Sequence, residues 1–154
     1  CDGSNWHVLN RVIPSQRASY TPTFTGFGTP SSVNFVSYRM GRYLFVEGTF
    51  TTGTTTATEA RISLGFNGVD GGITTTSDLP TLQIVGHMKQ GAALSATDFQ
   101  DRIVFAEASK GYVTFGASYS TYSNGLLKGN GNGVAASSLT QSLHFKVPIS
   151  GWKG

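Results

Sequence analysis

Cysteine is nearly missing from this 154-residue chain: Cys1, at the first position, is the only one. No disulfide can therefore join two of its segments, and no cysteine pair can complete a zinc set. Charge is scarce as well. Charged residues make up 12% of the chain, about half the usual share. Eleven basic residues against eight acidic ones leave a formal charge of +3. They are spread along the chain without a Lys/Arg block, which argues against a nucleic-acid partner. No apolar run approaches the roughly 18–20 residues of a membrane-spanning helix, so membrane insertion is not expected. Signatures of catalysis are absent too. There is no Gly-x-Ser-x-Gly elbow and no phosphate-binding loop. The histidines, His7, His87 and His144, have no metal-ligand spacing and would matter only if the fold brought them together.

What is abundant is glycine, threonine, serine and aromatics, which with low charge indicates an all-β protein. The length suits one domain with a sizeable core. The clearest element is the last. Leu143, Phe145, Val147 and Ile149 alternate with Ser142, His144, Lys146 and Pro148. This period of two marks a strand with one buried and one wet face. Pro148 falls on the wet register and lacks an N–H, which predicts a sheet edge or a strand end.

Earlier segments repeat the pattern. Asp2-Gly3 is a turn pair, and Trp6 and Val8 alternate after it. A hairpin turn at residue 2 implies a strand before residue 1, so the chain reads as part of a longer protein. Residues 1–19 form an entry segment ending in a linker, Pro14 to Ser19, and residues 20–154 form the domain. Val33–Met40 and Tyr43–Thr51 make a hairpin across Gly41-Arg42, with Leu44, Val46 and Phe50 facing inward. Phe45 then faces outward and needs a cover, such as a second layer or a neighbouring subunit. Seven threonines among residues 49–58 exclude a helix there. Further strands are expected at Glu59–Leu64, Leu82–Met88, Arg102–Ala108 and Tyr112–Ser118, the last two flanking Ser109-Lys110-Gly111. Residues 89–101 read as a loop. The sum is about eight antiparallel strands, the pattern of a jelly-roll β-sandwich.

The carboxylates are dispersed. Asp98 and Asp101 are the only close pair, and Asp70 lies near Asn67. Beside Gly, Ser and Pro such residues serve turns and loops more often than a paired-carboxylate hydrolase or a calcium site. Gly129-Asn130-Gly131-Asn132-Gly133 reads as a flexible or turn-rich loop tip. The candidate ligand-binding residues are Tyr119, Tyr122 and Asn124, in a stretch of Ser, Thr and Asn. Tyrosine rings stack on sugar faces while neighbouring hydroxyls and amides bond sugar OH groups. The other reading of these tyrosines is packing at the sandwich edge or against another subunit. Trp6 and Trp152 read as packing anchors.

The order of several short motifs resembles one family. Asp2-Gly3-Ser4-Asn5-Trp6-His7-Val8 looks like the end of the β-structured region preceding the terminal domain of bacteriophage tail fibre and tailspike proteins. Tyr20-Thr21-Pro22-Thr23-Phe24-Thr25-Gly26-Phe27-Gly28-Thr29 resembles the opening of their C-terminal domain, and Val33 to Thr52 continues it. Asn130-Gly131-Asn132-Gly133 followed by Phe145 to Trp152 resembles its ending. The resemblance implies a jelly-roll domain at a fibre tip, assembled as a homotrimer on the virion. It would attach to a bacterial surface glycan, without catalysis, metal or cofactor. The alternative within the resemblance is a trimerisation and end-capping domain with no ligand.

Overall fold

The computed structural model describes residues 15–91, 100–117 and 127–154. They form twelve strands and one helical turn. The first half contains β1 (Ala18–Tyr20), β2 (Phe24–Thr25), β3 (Ser31–Met40), β4 (Tyr43–Thr51), β5 (Arg61–Ser63), β6 (Gly65–Phe66) and β7 (Val69–Asp70). The second contains β8 (Gln83–Gln90), β9 (Gln100–Ala106), β10 (Tyr112–Ala117), β11 (Leu127–Lys128), α1 (Gly131–Val134) and β12 (Thr140–Pro148). The excess over eight comes from pieces of two or three residues; six strands are six residues or longer.

Nine strands follow one another in the order β1-β3-β4-β12-β8-β9-β10-β5-β2, with β11 beside β10, and β6 and β7 form a separate ribbon. Every pairing is antiparallel. The ends of this order, β1 and β2, are joined by only Thr21, Pro22 and Thr23. A flat sheet cannot have its two edges three residues apart, so the sheet curls and its halves face each other. The strand order β12-β8-β9-β10 is that of a Greek key: three successive strands, then a fourth returning beside the first.

The core lies inside the curl. Phe27 stands between Gly26 and Gly28, both at positive φ (85° and 71°), in the segment after β2. Its ring meets Phe50 of β4 at 5.2 Å and Phe115 of β10 at 5.4 Å, both edge-on, and so bridges the two halves. Phe24 and Phe35 complete the aromatic cluster around Phe50. Leu44, Val46, Ile62, Leu143, Phe145 and Val147 on the surrounding strands, with Ala60 and Leu64 flanking β5, are buried, as their alternation predicts.

Four expectations are corrected by this arrangement. First, of the two readings of Pro148 the strand end holds and the sheet edge does not, because β12 lies between β4 and β8, and the expected wet register of Pro148 is wrong. Pro148 is its last residue and is buried; pairing with β8 stops earlier, at Phe145 opposite Gly86, so no ladder bond to β8 is required of Pro148. Second, Phe45 is covered within its own chain. Tyr38 stacks on it at 5.1 Å with the rings 9° from parallel, and the Lys146 ammonium lies 5.6 Å from its centroid. Third, Ala18 and Ser19, expected in a linker, already pair with β3, and the Ser15 N–H donates to the Arg39 carbonyl. Fourth, the Gly129–Gly133 stretch is a packed turn. The Asn130 side chain caps α1 by accepting from the Gly133 N–H at 2.9 Å. Gly131 lies so close to Gly26 that a β-carbon there would come within 1.7 Å of its carbonyl oxygen.

The two-residue hairpins follow turn chemistry. Gly41, at φ 59°, opens the turn from β3 to β4, and Asn67-Gly68, both at positive φ, link β6 and β7.

Candidate functional site

Period-two alternation gives β3, β4, β12 and β8 a common outer face. Register then sets which side chains stand in a row. One row runs Asn34, Thr49, Ser142, Lys89 and Asp101; the next runs Val36, Glu47, His144, His87 and Ile103. A third places Tyr38, Phe45 and Lys146 side by side. Cross-strand neighbours on one face sit about 4.5–5.5 Å apart at Cβ, so each row is a continuous strip of surface.

Arg17, just before β1, reaches over this face. It forms an ion pair with Glu47, and its guanidinium lies 5.5 Å from the Tyr38 ring centroid. Beneath it is an open depression of about 580 Å³, lined by Arg17, Asn34, Val36, Glu47, Thr49, Ser142 and His144. Its lining thus offers an amide, two hydroxyls, a carboxylate, a guanidinium and an imidazole. The stacked Tyr38 and Phe45 rings stand in the next row of the same face, with the Arg17 guanidinium over Tyr38. Lys146 lies over Tyr43 at 4.3 Å, extending the aromatic-cation surface along the face. Donors and acceptors of both kinds beside flat aromatic surface suit a polyhydroxylated ligand.

The residues singled out from sequence, Tyr119, Tyr122 and Asn124, lie outside the described residues, as do His7, Trp6 and Asp98. Trp152 does pack, edge-on against Phe66 at 4.8 Å, with the Arg39 guanidinium 4.8 Å from its ring centroid. The depression was not singled out from sequence. Its signal was the outer register of β4 and β12, where Glu47, Thr49, Ser142 and His144 alternate with core residues. Nothing in the linear sequence placed Arg17 above them.

The carboxylates have individual partners. Glu47 meets Arg17, Glu59 meets Arg61, and Asp78 lies 3.9 Å from Arg42. Asp70 plays the loop role expected of it: it accepts from the Thr23 N–H at 3.1 Å, the Thr23 hydroxyl at 2.8 Å and the Ser63 hydroxyl. The histidines are less ordinary than their spacing suggests. His87 and His144 are directly opposite across β8 and β12, with ring centroids 6.1 Å apart.

Among the described residues, no helix is long and apolar enough to cross a membrane. No protein-family profile, curated protein or solved structure matches this chain.

Proposed function

We propose that this chain is a non-catalytic binding domain that takes host-surface carbohydrate at the tip of a bacteriophage tail fibre or tailspike. The observation that carries the reading is the depression under Arg17. It combines amide, hydroxyl and charged groups with neighbouring aromatic rings on an open face, the surface a sugar chain needs. Tyr119, Tyr122 and Asn124 supply further contacts in the same proposal. The motifs that resemble those of tail fibre domains supply the setting: a homotrimer on the virion, outside the host cell. Three copies on one fibre multiply a weak single-site affinity. A jelly roll is the finer form of the fold proposed here. It contains two Greek keys, and the order β12-β8-β9-β10 is consistent with one of them.

The test is binding to an array of bacterial surface glycans at an oligomeric state fixed by light scattering. The proposal expects a trimer and a saturable signal for one glycan class, weakened by Tyr119→Ala with Tyr122→Ala. A trimer that binds no glycan would replace it with the end-capping reading. A well-folded monomer would remove the fibre-tip setting.

A further inference from the structure

The outer-face histidines support a second kind of site, which shares His144 with the depression under Arg17. His87 on β8 and His144 on β12 are register partners, so both imidazoles leave the sheet on the same side. Both are exposed. The rings are tilted by 36°, with centroids 6.1 Å apart. Two imidazoles sharing one ion, at metal–nitrogen distances of about 2.0–2.1 Å and angles of roughly 90–110°, would have centroids roughly 4.5–5.2 Å apart. Small side-chain rotations of two exposed rings cover that difference without moving the strands. Behind His87 stands Asp101, diagonal to it on β9, with Oδ2 3.6 Å from His87 Nδ1. A carboxylate drawn from there onto Nδ1 would favour the tautomer that leaves Nε2 unprotonated and available, the usual outer-shell support of a ligating histidine.

We propose that His87 and His144 form a two-imidazole surface site for a divalent transition ion such as Zn²⁺ or Ni²⁺, with Asp101 positioning His87. Imidazole favours these ions over Mg²⁺ or Ca²⁺. No three ligating side chains converge on one point among the described residues, so water fills the remaining coordination positions. Neighbouring charges are mixed: Glu47 is the cross-strand partner of His144, Asp101 faces His87, and Lys89 and Lys146 flank the pair along their own strands. Protons compete with the ion for the imidazole nitrogens, so binding releases protons.

The experiment titrates Ni²⁺ and Zn²⁺ into the protein carrying Cys1→Ser, which removes the terminal thiol as a competing ligand. Histidine ring resonances and a parallel calorimetric titration report binding, and Mg²⁺ is the control. The expected result is saturable binding of one ion per chain, with His87 and His144 perturbed together. His87→Ala or His144→Ala should weaken it at least as much as the roughly tenfold typical of losing an outer-shell partner. His144→Asn, which keeps polarity at that position, should weaken it similarly, and His7→Ala should leave it unchanged. Absence of saturable binding, or binding that survives loss of either imidazole or depends on His7 instead, would overturn the proposal.

Discussion

Two residues show how closely side chains and backbone are matched inside the curl. Gly48 lies on the inward register of β4, opposite Phe35, and the Phe35 ring covers it. A β-carbon at Gly48 would come within 2.5 Å of that ring. Gly48→Ala should therefore destabilise the fold by about 1–3 kcal/mol through overpacking, read from urea denaturation midpoints. Gly71→Ala serves as a comparison: Gly71 has open space around its β position and would suffer only from its positive φ of 77°. Tyr20 covers Gly65 in the same way, and its hydroxyl donates to the Ser63 carbonyl at 3.3 Å. Burial, then the nearby Asp70 charge, pushes its phenol well above the usual tyrosine range, against a smaller opposing effect of a backbone hydrogen bond from Gly65. The unfolded chain releases this proton above about pH 10 while the folded chain keeps it. Its contribution to stability is thus constant below that pH and falls as pH rises beyond it. Between pH 9 and 11 the wild type should lose about 1 kcal/mol more stability than Tyr20→Phe, as measured by denaturation at each pH.

Strands were readable wherever one face is buried and the other wet. The register of β4 and β12, with Leu44, Val46, Phe50, Leu143, Phe145 and Val147 inward, follows from alternation alone. The short pieces were not readable. β2, β6, β7 and β11 are two residues each, too short to show any period. Neighbours across the sheet were equally hidden. Pro148, which lacks a donor, fitted a sheet edge or a strand end; it is the strand end, but only pairing partners decide an edge, and these come from distant parts of the chain. The same limit concealed the candidate site: Asn34, Thr49 and Ser142 become one row only when β3, β4 and β12 are laid side by side. The three-residue link between the two ends of the curl offers a direct check. Asp70 on β7 holds Thr23 by its N–H and hydroxyl, and Ser63 by its hydroxyl, pinning the link between β1 and β2. Asp70→Ala should cost about 1–2 kcal/mol, since a charged acceptor of several bonds is lost at an exposed site. Hydrogen exchange should rise first at Thr23 and Ser63.

Across the whole molecule, the curl depends on what fills it. Phe27 reaches both halves from a loop whose two flanking glycines permit the path, and it is fully buried. Phe27→Ala should cost about 3–5 kcal/mol, a large share of the stability of a domain this size, and Phe27→Leu distinctly less. Both would be read from thermal and urea unfolding. The inner face is thus committed to packing. The outer face of β3, β4, β12 and β8 is left polar and aromatic, and Phe45 already has its cover from Tyr38 and Lys146. That removes one reason to place a neighbouring subunit over this face and leaves it open to a ligand. The measurement that tests this directly is binding of bacterial surface polysaccharide by the wild type and by Asn34→Ala/Thr49→Ala/Ser142→Ala, which alters only exposed side chains. The account predicts saturable binding by the wild type, weakened at least about tenfold in the variant, roughly the 1.4 kcal/mol or more of losing hydrogen bonds across one ligand. A folded wild type with no saturable binding, or a variant that binds equally well, would contradict it.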